Sequence, residues 1–132
     1  MDDPIRVLVV EDNQDIRHIL KLKFERAGFE VQTTSESIGA AAIATVFDPA
    51  IVVLDILMPG KDGLQVAEEI RKTSAVPIVF LTGVVDEEIP NRAYALGAHE
   101  VIAKPIKMDE LIARLREIVA ATRNVDEVES RK

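Results

Sequence analysis

Ala50-Ile51-Val52-Val53-Leu54-Asp55 is the stretch on which the fold turns. Five apolar residues run without a polar interruption and stop at an acid. A strand with one wet face alternates apolar and polar residues, whereas a continuously apolar strand is buried on both faces. Helices must then cover both sides of the sheet. Pro77-Ile78-Val79-Phe80-Leu81 repeats the pattern and stops at Thr82. Ile5-Arg6-Val7-Leu8-Val9-Val10 stops at Glu11-Asp12, and Val101-Ile102-Ala103 stops at Lys104-Pro105. Phe29-Glu30-Val31-Gln32-Thr33 alternates as an outer strand would.

Amphipathic stretches separate these runs. Ile16, Ile19, Leu20 and Phe24 recur at helical spacing, and Gly28 follows as a C-terminal cap. Ser35 or Ser37 is expected to cap a small-residue helix carrying Ala41, Ala42 and Val46, which Asp48-Pro49 stops. A Pro59-Gly60 turn leads into a helix with Val66, Ala67 and Ile70 on one face. Pro90 lies near the start of the next helix, where its missing N–H does little harm, and that helix ends at Leu96-Gly97. The last helix carries Leu111, Leu115, Ile118 and Val119. Strands alternating with helices mean parallel βαβ units, so the expected fold is an α/β, doubly wound five-stranded parallel sheet with five helices. Residues 1–121 are expected to form the domain. Thr122 to Lys132, with mixed charge and few apolar residues, is expected to be a frayed end or the start of a linker.

A chain of 132 residues accommodates one domain, and 48% hydrophobic residues suffice for its core. A net charge of −7 opposes direct binding of nucleic acid, which requires a basic face. The absence of cysteine removes disulfides, thiolate catalysis and Cys-based zinc sites. The N-terminus is acidic where a secretion signal is basic, and the apolar run behind it is too short to span a membrane. The expectation is a soluble, cytoplasmic protein.

Open α/β sheets bind ligands beyond the carboxyl ends of their strands. Glu11, Asp12, Asp55, Thr82 and Lys104 all fall at that edge. Singly, each has an ordinary explanation: a helix cap, a favourable charge at a helix dipole, a strand-end hydroxyl, a solvated lysine. Together they converge on one crevice. Two carboxylates about 4 Å apart repel by roughly 4 kcal/mol at an intermediate dielectric. Three need compensation, and a hard divalent cation such as Mg²⁺ supplies it.

The same residues carry a resemblance. Val9-Val10-Glu11-Asp12-Asn13, Val53 through Gly63, Phe80-Leu81-Thr82-Gly83, Ala95-Leu96-Gly97-Ala98 and Lys104-Pro105 occur in order. Over about residues 5 to 121 this pattern resembles the receiver domain of two-component response regulators, like the single-domain chemotaxis regulator. The resemblance implies the flavodoxin-like strand order 2-1-3-4-5. It implies that Asp55 takes a phosphoryl group from a histidine kinase or histidine phosphotransfer protein. It assigns Mg²⁺ or Mn²⁺ to Glu11, Asp12, Asp55 and the backbone carbonyl of Leu57, and contacts with the phosphoryl group to Thr82 and Lys104. Gly83 matches a position kept small so that the group can enter, and a cis Lys104–Pro105 bond is implied. Leu57 and Val84 would flank the path of a hydrolytic water. The face of the fourth helix, fifth strand and fifth helix would form a homodimer or dock a partner, with Ile89, Tyr94, Val101, Ile106, Arg114 and Arg116 in or beside it.

Two positions depart from the pattern. Val101 replaces the usual aromatic residue, and Lys107-Met108 replaces the usual cap of the last helix. Three other readings share parts of this evidence. A flavodoxin-like cofactor binder needs a phosphate loop where Glu11-Asp12-Asn13-Gln14-Asp15 stands, which is acidic and repels phosphate. An aspartate-nucleophile phosphohydrolase wants a second Asp at position 57, which is Leu. A degenerate receiver, binding proteins without phosphorylation, is opposed by the intact carboxylates and Lys104. The expected role is therefore regulatory rather than that of an enzyme acting on a separate substrate.

Overall fold

The computed structural model describes residues 4–58, 62–83 and 88–130, with side chains to 123. Pro59-Gly60 and Val84 lie outside the described residues. The elements are β1 (Arg6–Val10), α1 (Gln14–Arg26), β2 (Glu30–Thr34), α2 (Ala40–Phe47), β3 (Ile51–Asp55), α3 (Gly63–Arg71), β4 (Ile78–Thr82), α4 (Glu88–Ala95), β5 (Glu100–Ala103) and α5 (Met108–Ser130). The five strands form one parallel sheet in the order β2-β1-β3-β4-β5, as expected.

The continuously apolar strands are buried throughout, and the pleat divides them between two cores. Leu8, Val10, Val52, Leu54, Ile78 and Phe80 pack with Ala40, Ala44, Val66, Ala67, Ile70 and Ala93 of α2, α3 and α4. Val7, Val9, Ile51, Val53, Val79 and Leu81 face the other way, onto Leu20 and Phe24 of α1 and Leu111, Leu115, Ile118 and Val119 of α5. The outer strands β2 and β5 are only partly buried, which accounts for their mixed composition.

Three expectations about the helices change. Ile19 is 49% exposed, because α1 turns Leu20 and Phe24 inward and Ile19 lies beside that stripe. Val46 is 86% exposed; the inner face of α2 is Ala40 and Ala44, with Ile43 and Phe47 packed alongside. Neither Ser35 nor Ser37 caps α2. That helix begins after Gly39, which adopts a left-handed φ of 88° and offers no side chain. The stop at Asp48 is real: this residue is itself left-handed, at φ 52°, with its N–H on the carbonyl of Ala44. Gly28 ends α1 at φ 97°, as its position suggested. The backbone of α5 remains helical to Ser130, past the expected end of the domain.

The site edge of the sheet is ordered by two caps. Asn13 Oδ1 accepts from the Ile16 N–H at 2.9 Å and starts α1. Asp62 and Gln65 form a reciprocal capping box at the start of α3, with both bonds at 2.9 Å. At the opposite edge, Arg71 donates to the carbonyls of Val76 at 2.6 Å and Gly97 at 2.9 Å, joining the ends of α3 and α4 to the entry of β4. Replacing Asp62 with Ala removes one side of the box and should cost about 1 kcal/mol of stability, read as a lower urea midpoint with an unchanged slope.

A cation-sized acidic cluster at the carboxyl edge of the sheet

Strand ends deliver the site. Asp55 is the last residue of β3, at the centre of the sheet, and is 5% exposed. Glu11 extends the β1 ladder by one residue, its N–H on the Thr34 carbonyl at 3.1 Å, and is fully buried. Lys104 extends β5 in the same way, its N–H on the Thr82 carbonyl at 2.8 Å. The Lys104 ammonium lies between two carboxylates, 3.1 Å from Glu11 Oε1 and 3.3 Å from Asp55 Oδ2. Thr82 ends β4 and is 5% exposed. The bond preceding Pro105 is cis, as the motif implied.

Asp12 completes the acidic group and is its least buried member. One carboxylate oxygen from each of Glu11, Asp12 and Asp55 lies within 4.8 Å of the others. That spread matches oxygen ligands around one small hard cation. The Glu11 Oε2 atom is buried and has no hydrogen-bond partner among the described residues. A buried oxygen of that kind is costly unless something positive reaches it. The residues present therefore fit a divalent cation.

Electrostatics show the same strain. Burial pushes the Glu11 carboxyl up to about 8, the adjacent Asp55 pushes in the same direction, and Lys104 only partly opposes them. Burial alone would lower the Lys104 ammonium. Its hydrogen bonds and charge contacts with Glu11 and Asp55 outweigh burial and hold it above the usual lysine range.

The remaining expected residues are placed as follows. The Leu57 N–H donates to Asp55 Oδ1 at 3.4 Å, so its backbone lies against the carboxylate while its side chain is 55% exposed. Among the described residues, a Cβ added at Gly83 would meet only Lys104 Cδ, at 4.0 Å. Val101 is half-buried and packs against the core beneath α4. Arg114 pairs with Glu100 and, at 3.0 Å, with Glu117 on the β5–α5 surface. Arg116 faces the other way: it donates to the Ala27 carbonyl at 2.6 Å, and its guanidinium lies 5.5 Å from the Phe29 ring centre. It therefore belongs to the α1 side rather than to the face of α4, β5 and α5.

One residue that the sequence analysis quoted only as the end of a motif has a steric role. A Cβ at Gly63 would lie 2.2 Å from the Asp55 carbonyl oxygen and 2.8 Å from Ile56 Cα. The first residue of α3 thus touches the backbone that carries Asp55, and the Gly63 N–H donates to the Ile56 carbonyl at 2.7 Å. Its sequence signal was its place at the end of the Val53–Gly63 stretch, directly after the aspartate that caps α3.

Comparison with known proteins agrees with this architecture. The family model described as the response regulator receiver domain matches residues 7–116. The chain is 38% identical over 119 residues to a probable transcriptional regulator, ycf27, of Cyanophora paradoxa, covering 90% of this chain and 50% of that protein. The chain spans about half the length of the curated relatives it matches. Among solved structures, NtrX from Brucella abortus superposes with a TM-score of 0.90 at 30% identity, over 98% of this chain and 30% of that one. The chemotaxis protein CheY4 of Vibrio cholerae superposes with a TM-score of 0.81 at 27% identity, over 86% and 98%. Among the described residues, no helix is long and apolar enough to cross a membrane. A match running from the first strand into the last helix leaves one assignment: the chain belongs to the response-regulator receiver domains, which are signalling proteins rather than enzymes in the ordinary sense.

Proposed function

We propose that Asp55 accepts a phosphoryl group from the phosphohistidine of a histidine kinase or histidine phosphotransfer protein. The observation that carries this reading is the Asp55 carboxylate at the end of the central strand, buried, ion-paired with Lys104 and within 4.8 Å of two further carboxylates. In the transfer, an Asp55 oxygen bonds to phosphorus as the bond from phosphorus to the histidine nitrogen breaks, and the imidazole leaves with that electron pair. Such reactions ask the protein mainly for positioning and charge neutralisation. Lys104 meets the incoming negative charge, and the Thr82 hydroxyl hydrogen-bonds a phosphoryl oxygen.

Glu11, Asp12, Asp55 and the Leu57 carbonyl would hold Mg²⁺ or Mn²⁺. The cation, when bound, offsets repulsion between the carboxylates and the phosphoryl oxygens. The phosphorylated edge would be read on the face of α4, β5 and α5, by a partner or a second copy. The Lys104 ammonium already bridges that side of the sheet to Asp55. Residues 1–121 form the receiver unit in this reading. Among the described side chains, the fully buried positions of α5 stop at Val119. The curated relatives are named probable transcriptional regulators, and we extend to this chain only the role of phosphorylated input to such a response.

Incubation with a small phosphodonor and Mg²⁺ should add one phosphoryl group by mass spectrometry, and Asp55→Asn should abolish it. Equal labelling of the variant would overturn the assignment to Asp55, and no labelling of either protein would favour a receiver that acts only as a docking module. The Glu11 proton predicts how metal binding depends on pH. Folded and metal-free, Glu11 holds its proton up to about pH 8, and a cation must displace it. Mg²⁺ affinity should therefore rise between pH 6 and 8, approaching about tenfold per unit where the slope is steepest. The metal-free fold should lose stability from about pH 4.5 towards 8, because it binds a proton that the unfolded chain has released. Magnesium titrations and urea melts at several pH values read both effects. Leu57 is apolar beside Asp55 and cannot orient a water, so Leu57→Asn should shorten the lifetime of the phosphorylated form. A lifetime that is unchanged or longer would refute that role.

A further inference from the structure

Three consecutive carbonyls of the turn that carries the acidic pair converge on Arg17. Its Nη1 donates to the Glu11 carbonyl at 3.0 Å and to the Asp12 carbonyl at 3.3 Å. Its backbone N–H donates to the Asn13 carbonyl at 2.9 Å. The rest of the turn is fixed independently, by the Glu11 N–H on Thr34 and by the Asn13 cap on Ile16. Of these restraints, only the Arg17 guanidinium holds the two peptides that follow the Cα atoms of Glu11 and Asp12.

We infer that Arg17 is a positioning residue: by gripping the carbonyls of Glu11 and Asp12 it aims their carboxylates at the cation. The inference rests on the cation reading given above. A peptide plane is rigid, so holding the planes on both sides of a Cα fixes the direction of its Cα–Cβ bond, and with the Glu11 N–H on Thr34 that condition is met at Glu11 and at Asp12. Groups that orient metal ligands without touching the metal commonly control affinity. Arginine suits the task because its guanidinium is planar, permanently charged and rich in donors. The contact with Asp12 is exposed and that with Glu11 only part-buried, so water can reach both carbonyls when the side chain is removed. Loss of Arg17 should consequently be felt in the aim of the ligands more than in the stability of the fold.

The test uses the full chain and Mg²⁺ itself, followed by amide chemical shifts, with Arg17→Ala, Arg17→Lys and Asp12→Asn in parallel. Arg17→Ala should weaken Mg²⁺ binding by about tenfold. It should slow phosphorylation at limiting Mg²⁺ and recover at saturating Mg²⁺, with the metal-free urea midpoint nearly unchanged. Arg17→Lys should recover part of the affinity. Normal affinity in Arg17→Ala, while Asp12→Asn has lost binding, overturns the role of Arg17 alone. Normal affinity in Asp12→Asn overturns the cation reading and this inference with it. A large fall in the metal-free midpoint of Arg17→Ala, with no rescue by lysine, assigns the residue to the fold instead and overturns the positioning role.

Discussion

The arrangement at the carboxyl edge depends on one ammonium group. Glu11 and Asp55 are buried carboxylates on strands β1 and β3, and Lys104 Nζ is within hydrogen-bonding distance of both. Without a positive charge between them, two buried carboxylates on adjacent strands could not both stay ionised. The lysine does not complete the neutralisation, since Glu11 retains a raised affinity for a proton and an unpartnered oxygen. The domain is thus folded around a deficit of positive charge. A ligand that brought such charge would stabilise it.

Much of this was legible in the sequence because the signals were redundant. The unbroken apolar runs at Ile51–Leu54 and Ile78–Leu81 required a sheet covered on both faces, and the acids, hydroxyl and lysine at the strand ends required a shared edge. The same edge residues are brought together in three dimensions, with Glu11, Asp12 and Asp55 clustered and Lys104 among them. The helices were read less well. Apolar spacing in α1 does not distinguish Ile19 from Leu20, because adjacent residues on a helix lie about 100° apart and both fall near the apolar stripe. In α2 nearly every residue is apolar, so composition gave no direction to its inner face, and Val46 ended outside. The cap by Gly39 was hidden because a left-handed backbone stands where a serine hydroxyl was expected.

The pleat explains why the edge groups need not all point alike. Along β3, Ile51, Val53 and Asp55 share one side of the sheet, the side packed by α1 and α5. Continuing the alternation, Glu11 follows Val7 and Val9, and Lys104 follows Ile102, on that same side. Thr82 follows Ile78 and Phe80 on the other. The Glu11 and Asp55 carboxylates therefore meet at the ends of adjacent strands, with the Lys104 ammonium reaching them across β4 from β5, while the hydroxyl lies on the side of α4 and Val101. A register error of one residue would invert both cores and scatter the site.

Gly63 changes how mutational tolerance in this chain should be read. Its nearest neighbours are backbone atoms of Asp55 and Ile56, which cannot swing aside as a flexible side chain would. A survey that replaced every residue in turn and selected for labelled protein would rank position 63 with the charged groups of the edge. Its side chain, a single hydrogen, performs no chemistry. What selection would detect there is clearance: the space through which the first turn of a helix passes the end of the strand that carries Asp55.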